Sequence, residues 1–200
     1  MSTKFNSREY WERRYRNGGN SGLGSYGSAA EYKTNVINDI LTNLNIDSVI
    51  EYGCGDGNQI KNIKYKSYLG FDFGPAVQRC KDIYRQFKNL DFKNIDLYSE
   101  EVADLTISLD VIYHLIEKEV YDQYLERLFR SAQKYCLVYT TNYTNDVSVS
   151  SHIRHREFIN YIKDTFSDFE IIDIAKYSEH YKTENPSGYT HVNFYLFKRI

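Results

Sequence analysis

The chain alternates between segments with a helical hydrophobic repeat and short apolar segments rich in β-branched and aromatic residues. Apolar side chains recur at three- and four-residue spacing from Tyr32 to Leu44, which predicts a helix. Short apolar runs predict five strands, which in chain order are DSVIEY, YKSYLGFDF, LDFKNID, DLTISLD and YCLVYTT. The other predicted helices follow Pro75 and cover 120–129 and 158–166.

This alternation predicts the fold class. Strands that alternate with helices form a mostly parallel sheet covered on both faces. The last two apolar runs, FEIIDIAKY and HVNFYLFKRI, predict a closing antiparallel pair. We therefore expect an α/β fold, a Rossmann-like seven-stranded and mostly parallel sheet with helices on both faces and an antiparallel last strand. The apolar face of the helix after Pro75 is expected to comprise Val77, Cys80, Ile83, Tyr84 and Phe87.

The predicted organisation is a single domain, 1–200, in which 1–28 is an N-terminal helix with a glycine-rich lid and 29–200 is the core. The lid is the stretch NGGNSGLGSYGS, from Asn17 to Ser28. Such a stretch is typical of a flexible linker. It also suits the hinge of a lid over a binding site, with Tyr26 at the tip of the lid and facing the substrate. The sequence leaves both interpretations open.

Composition narrows the function classes. The 200 residues are 42% hydrophobic and 26% charged, as in soluble globular domains. The net charge of −2 gives no overall electrostatic attraction to nucleic acid or to an anionic membrane. No apolar run approaches the roughly 20 residues of a membrane-spanning helix. The charged N-terminus lacks the apolar centre of a signal peptide. The three cysteines fit neither a disulfide framework nor a metal site, so we expect a cytoplasmic protein without a bound metal.

The stretch SVIEYGCGDGNQI carries the first candidate chemistry. Glu51 ends a predicted buried strand, and glycines follow at 53, 55 and 57. Ligands of doubly wound sheets bind at the carboxyl ends of strands, where glycine lets the backbone come close. The spacing differs from the G-x-G-x-x-G of nicotinamide-binding folds. An acid before the glycines suits a cationic group, such as a sulfonium or an ammonium.

VIEYGCGDGNQI resembles the first motif of class I S-adenosylmethionine-dependent methyltransferases. YLGFDFG, NIDLYS and ADLTISLDVIYHL resemble the later motifs of that family, in the same order. The resemblance implies S-adenosyl-L-methionine as cofactor, its methionine part at the glycine-rich loop, its ribose at Asp72 and its adenine near Asp96 and Leu97. The implied cofactor-binding residues are Glu51, Gly53, Cys54, Gly55, Asp72, Phe73, Asp96, Leu97 and Leu109.

The segment SLDVIYHL bears on the substrate. It lacks the prolines of amino-methyltransferases that act on DNA, and no cysteine follows a proline as in cytosine C5 enzymes, so we expect no DNA substrate. It resembles small-molecule methyltransferases, in which a histidine at this place opens the next helix. His114 is therefore the candidate general base. A capping or packing role is the alternative for His114, and a structural role is the alternative for the substrate-binding candidate Tyr113.

SHIRHREF carries the second candidate cluster, with His152, Arg154, His155 and Arg156. Two arginines and two histidines so close together suit an anion, such as a phosphate, a carboxylate or a nucleotide sugar. The alternative is a solvated, basic helix start, which the helix dipole disfavours. We expect Tyr26, Tyr113, His152, Arg154 and His155 to contact the substrate. Together with SREYWERRYRNGGNSGLGSYG, these motifs resemble bacterial and phage methyltransferases.

The sequence thus predicts methyl transfer from S-adenosylmethionine to a hydroxyl or amine of a small, anionic acceptor, with no membrane partner. One alternative is a non-catalytic partner protein that binds the cofactor. Another is a methyltransferase that acts on a protein or an RNA. The oligomeric state, the acceptor and the choice between O- and N-methylation stay open.

Overall fold

The computed structural model describes residues 5–144, 150–181 and 191–200. Seven strands form one sheet in the order β3-β2-β1-β4-β5-β7-β6. Their bounds are β1 Ser48–Tyr52, β2 Ser67–Asp72, β3 Leu90–Asn94, β4 Ala103–Leu109, β5 Ala132–Thr141, β6 Phe169–Ile172 and β7 Val192–Arg199. The helices are α1 Ser7–Arg16, α2 Gly27–Asn43, α3 Gly74–Tyr84, α4 Lys118–Arg130 and α5 Phe158–Thr165.

The strand pairing confirms the predicted fold class. The pairs β3–β2, β2–β1, β1–β4 and β4–β5 are parallel, whereas β7 is antiparallel to both β5 and β6. The order reverses after β1, because β2 lies on one side of it and β4 on the other. In such sheets the crevice outside the carboxyl ends of the strands at the reversal is the usual ligand site.

Two apolar layers cover the sheet. Val49 of β1 and Leu105 of β4 pack with α2 and α3 on one face. Ile50 of β1 packs with α4 and α5 on the other face. Successive strand residues thus point to opposite layers, as the period of two in a strand requires. Both layers are apolar, which is why the central strands read as continuous hydrophobic runs.

Some predicted helix positions are wrong. Ile83 and Phe87 were expected on the apolar face after Pro75, but they are 52% and 55% exposed. The helix ends at Tyr84, so Phe87 lies beyond it and has left the helical register. His114 does not open a helix, since it ends a short 3₁₀ helix and α4 begins only at Lys118. The basic cluster likewise precedes α5 as irregular backbone.

Among the described residues, no helix is both long enough and apolar enough to cross a membrane.

Candidate active site at the carboxyl ends of β1, β2 and β4

The glycine-rich loop after β1 is held in a conformation that side chains resist. Gly53, Gly55 and Gly57 all have positive φ angles, between 59° and 82°. A Cβ atom at Gly53 would lie 2.5 Å from a methyl group of Val111, and one at Gly55 would lie 2.2 Å from Ser21 Oγ. Glycine is therefore required at positions 53 and 55 for two reasons: the positive backbone angle, and the neighbouring side chains that a Cβ would strike. The loop can present bare backbone to a ligand.

Two carboxyl groups flank this loop. Glu51 is 1% exposed and accepts a hydrogen bond from the Tyr68 hydroxyl at 2.7 Å. Burial raises the pKa of Glu51 to about 7, although the Tyr68 bond opposes the shift. Asp72 accepts hydrogen bonds from the Gly55 and Phe73 amides, each at 2.7 Å, and burial raises its pKa to about 6. Both groups become easier to ionise when a cation or hydroxyl donors approach.

A cavity of about 270 Å³ opens above the loop. It is lined by nine of the residues that the sequence singled out, namely Glu51, Gly53, Cys54, Gly55, Asp72, Phe73, Asp96, Leu109 and His114. Leu97 is the exception among the cofactor-binding candidates. It is 67% exposed and does not line the cavity, because the short 3₁₀ helix at Ile95–Leu97 turns Ile95 and Asp96 towards it instead.

The N-terminal segment lies over this cavity. The Arg8 guanidinium donates to both oxygens of Asp96, at 2.7 and 2.6 Å, and its Cζ atom lies 5.3 Å from the centre of the Phe73 ring. Trp11 and Tyr15 of α1 also line the cavity. The glycine-rich segment joins α2 to this helix that covers the site.

Ser21 and Tyr26 attach this segment to the loop. Ser21 N donates to Asp56 Oδ2 and Asp56 N donates to Ser21 Oγ, both at 2.9 Å. Tyr26 donates to the same Asp56 oxygen at 2.7 Å. Tyr26 was expected to face a substrate, but it does not line the cavity and its hydroxyl is used to hold the segment in place.

His114 lies beneath α1 at the rim of the cavity. Its Nδ1 is 2.9 Å from the His152 carbonyl oxygen, so Nδ1 carries the proton and Nε2 is unprotonated. Trp11 packs edge-on against the ring at 5.0 Å between centroids. Burial lowers the pKa of His114 to about 4. The imidazole is therefore neutral at pH 7 and can accept a hydrogen bond or a proton.

A buried ion pair beside His114 was not predicted from the sequence. Lys33 Nζ lies 2.6 Å from Asp110 Oδ2, and the lysine side chain is 1% exposed. The Tyr113 hydroxyl donates to Asp110 Oδ1 at 2.8 Å. Asp110 lines the cavity and has a φ of 59° at the end of β4. The available signal was helical spacing, because Lys33 precedes Val36 and Ile37 by three and four residues and so shares their buried face.

The structure divides the basic cluster. His152 stacks between Tyr10 and His114, at 4.8 and 5.4 Å between ring centroids, and lies beside the first cavity without lining it. Arg154 and His155 line a second cavity instead. Of the five substrate-binding candidates, only Tyr113 and His152 directly contact residues that line the first cavity, Asp110 and His114.

Known proteins resemble the chain chiefly in fold. No protein-family model matches it. Among curated proteins, ribosomal RNA small subunit methyltransferase A from Mycoplasmopsis synoviae (strain 53) is 28% identical over 90 residues. This match spans 40% of the chain and only 35% of that protein.

Solved structures match over almost the whole length. N-methyltransferase NodS from Bradyrhizobium japonicum WM9, in complex with S-adenosyl-L-homocysteine, gives a TM-score of 0.71 at 14% identity, covering 98% of this chain and 99% of that one. Magnesium protoporphyrin IX methyltransferase (ChlM) from Synechocystis PCC 6803, with the same compound bound, gives 0.68 at 15% identity, covering 96% and 98%. The chain therefore has the fold of these class I methyltransferases.

Proposed function

We propose that the chain transfers a methyl group from S-adenosylmethionine to a hydroxyl or amine of a small acceptor. The observation that carries this proposal is the glycine-rich loop between Glu51 and Asp72, covered by α1. The NodS and ChlM structures, which hold S-adenosyl-L-homocysteine in the same fold, support this assignment. When bound, the cofactor would supply a sulfonium methyl group that is reactive without further activation.

The residues present fit this cofactor. The loop glycines have positive φ angles and no side chains, so the backbone there can face the methionine part. Each oxygen of Asp72 accepts one backbone amide and keeps capacity for a ribose hydroxyl. Glu51 would face the cationic part. Phe73, Asp96 and Leu109 would enclose the remainder, with Arg8 keeping Asp96 in place.

On the acceptor side, the chain would position the nucleophile and take its proton. His114 is neutral at pH 7, and its unprotonated Nε2 is the proton acceptor that we assign. The His152 carbonyl fixes the ring tautomer, and Trp11 holds the ring from above. Asp110 would orient the acceptor, since Lys33 and Tyr113 hold its carboxylate at the cavity wall. Positioning of this kind supplies most of the rate in such a transfer.

Two variants test the two halves of the site, Asp72→Ala for the cofactor side and His114→Ala for the acceptor side. Asp72→Ala should weaken S-adenosylhomocysteine binding about tenfold in titration calorimetry, since a hydrogen bond to a charged group contributes about 1.5 kcal/mol or more. Asp91→Ala is the matched control, because Asp91 is an exposed acid on β3 outside the cavity. Equal affinity in both variants would remove Asp72 from the cofactor site.

Turnover is tested with a fractionated metabolite extract and S-adenosylmethionine, with S-adenosylhomocysteine as the measured product. His114→Ala should lower the rate about 100-fold while cofactor affinity is kept. His180→Ala is the control, because His180 is an exposed histidine paired with Asp39 away from the cavity. Cofactor binding without product from any fraction would favour the non-catalytic partner protein.

RNA methylation is a second candidate function, favoured by the partial identity to a ribosomal RNA methyltransferase. The net charge of −2 weighs against it, because RNA binding rests on cationic surface. Replacing the extract by total RNA in the same assay separates the two, and methyl incorporation into RNA alone would overturn the small-acceptor proposal.

A further inference from the structure

A second cavity of about 660 Å³ adjoins the first one behind residues 114–116. It lies between the first turns of α4, the side of α5 and the segment that precedes α5. His114 and Leu115 line the first cavity, whereas Ile116 lines the second. Consecutive residues of this short turn thus line both cavities. The lining residues of the second cavity include Lys118, Thr144, Ser151, Arg154, His155 and Arg156.

The charges of this cavity do not cancel. Asp122 is the one acid among the lining residues described, and its Oδ2 pairs with Lys118 Nζ at 2.5 Å, whereas its Oδ1 is buried without a hydrogen-bond partner among the described residues. Glu117 is nearby, but its carboxylate accepts two hydrogen bonds from Ser7, at 2.5 and 2.9 Å, on the α1 side. Arg154 forms no ion pair with any described acid, and neither does Arg156. Neither guanidinium thus lies within ion-pair distance of a described carboxylate, although Asp122 and Glu117 attract Arg156 from further away.

Arg156 is fixed in position but incompletely bonded. Its Nη2 donates to the Ile116 carbonyl at 3.0 Å, and its guanidinium lies 4.2 Å from the centre of the Tyr121 ring. Its Nη1 is buried and has no hydrogen-bond partner among the described residues. A buried donor without a partner is costly, so a turn of the guanidinium that brings Nη1 to a ligand oxygen in the cavity would be stabilising.

We propose that this second cavity binds a phosphate group, and that the group belongs to the methyl acceptor. Planar guanidinium groups match phosphate oxygens in pairs, and two of them suit a dianion. Ser151 and Thr144 add hydroxyl donors along the same wall. This inference rests on the proposed function, because it places the phosphate on one side of Ile116 and the methylated group on the other.

A small acceptor is favoured over RNA because the cations form a single pocket rather than a stripe. A nucleic-acid backbone requires cations along an extended path. Here Arg154, Arg156 and Lys118 converge on one cavity in a chain whose net charge is −2.

The test is titration of inorganic phosphate into the full chain, followed by the ¹H–¹⁵N signals of the arginine side chains. We expect a saturable shift of the Arg156 signal. Arg154→Gln should weaken phosphate binding at least about tenfold, as loss of a charge-assisted hydrogen bond predicts. Arg154 is exposed, so this variant should fold, whereas Arg156→Gln removes a half-buried group and is the second variant. Arg130→Gln is the control, because Arg130 is 71% exposed on α4 outside both cavities.

The outcomes separate the two proposals. Absence of a saturable shift, or equal phosphate affinity in Arg154→Gln and Arg130→Gln, would overturn the phosphate site even if S-adenosylhomocysteine binds. Phosphate binding without S-adenosylhomocysteine binding would keep the site and overturn the proposed function. A short single-stranded RNA that binds more tightly than phosphate, and loses this affinity in Arg154→Gln, would assign the phosphate to RNA instead of a small acceptor.

Discussion

At the scale of single residues, the site is built from ionisable groups with shifted pKa values and from glycines with unusual backbone angles. Glu51 is a fully buried acid, His114 is a partly buried base, and the loop glycines occupy angles that other residues avoid. Sequence pattern identified Glu51, Asp72 and the glycines, because an acid and bare backbone at strand ends are visible along the chain. It did not reveal the pKa shifts, which depend on neighbours contributed by distant segments.

Burial of Glu51 makes the stability of the fold depend on pH. Its pKa is about 7 in the folded chain, against about 4.5 when unfolded. Between these values only the unfolded state loses the proton, so stability falls as the pH rises from about 4.5 to about 7. Glu51→Gln cannot ionise and should be more stable than the wild type at pH 8 by roughly 3 kcal/mol, with little difference at pH 4. Urea unfolding at both pH values measures this, and an equal difference at the two would contradict it.

Alanine substitutions at two glycines distinguish the cost of backbone strain from the cost of a steric clash. Gly18 and Gly55 both have positive φ angles, 77° and 59°. A Cβ at Gly18 meets nothing within 4 Å, whereas one at Gly55 lies 2.2 Å from Ser21 Oγ. Gly18→Ala should therefore cost about 1 kcal/mol of unfolding free energy. Gly55→Ala should cost clearly more and should also weaken cofactor binding, as denaturation and calorimetry would measure. Equal costs would mean that Ser21 moves aside freely.

At the scale of elements, hydrophobic patterning predicted which segments are helices and strands but not where each helix starts. His114 was expected to open a helix, yet Asp110 takes a left-handed angle and the chain makes a 3₁₀ turn first. The helix that follows begins four residues later, at Lys118. Periodicity reports the buried face of an element, whereas its ends depend on local turns that single residues decide.

We expect helix α1 to set the pKa of His114 through burial of the ring. Ser7 is 2% exposed; its hydroxyl donates to Glu117 at 2.5 Å and accepts from the Ile116 amide at 3.0 Å. Ser7→Ala removes both hydroxyl bonds and leaves only the bond from the Ser7 amide to Glu117, so α1 should detach more often and the pKa of His114 should rise from about 4 towards 6.5. An NMR titration of the imidazole proton measures this value. Arg13→Ala, an exposed change on α1, is the control. The same pKa in both variants would mean that α1 does not bury His114.

At the scale of the whole molecule, the strand order explains the site. β2 and β4 flank β1, so Glu51, Asp72 and Leu109 meet although they are far apart in the chain. This convergence was predictable, because parallel strands end at a common edge. The pairing of Lys33 with Asp110 was not, since it joins α2 to β4 across 77 residues and depends on side-chain packing. The sequence also did not predict that Arg154 lines the second cavity while His152 stacks against His114, because this too depends on side-chain packing.

The Lys33–Asp110 pair should be a strongly coupled contact between distant segments. Lys33→Met leaves Asp110 without its cation and should cost about 3–5 kcal/mol of unfolding free energy, as should Asp110→Leu. The double variant should cost less than the sum of the two by more than about 1 kcal/mol. Lys61→Met is the control, since Lys61 is exposed and should change little. Additive costs in chemical denaturation would show that the two groups do not stabilise each other.

The contact between Ser21 and the glycine-rich loop has an evolutionary consequence. Ser21 fills the space that a side chain at Gly55 would need, and it exchanges two hydrogen bonds with Asp56. A substitution at any one of these three positions alters the space or the bonding of the other two. In homologues of this chain we expect positions 21, 55 and 56 to covary, so that a substitution in the covering segment accompanies a substitution in the loop.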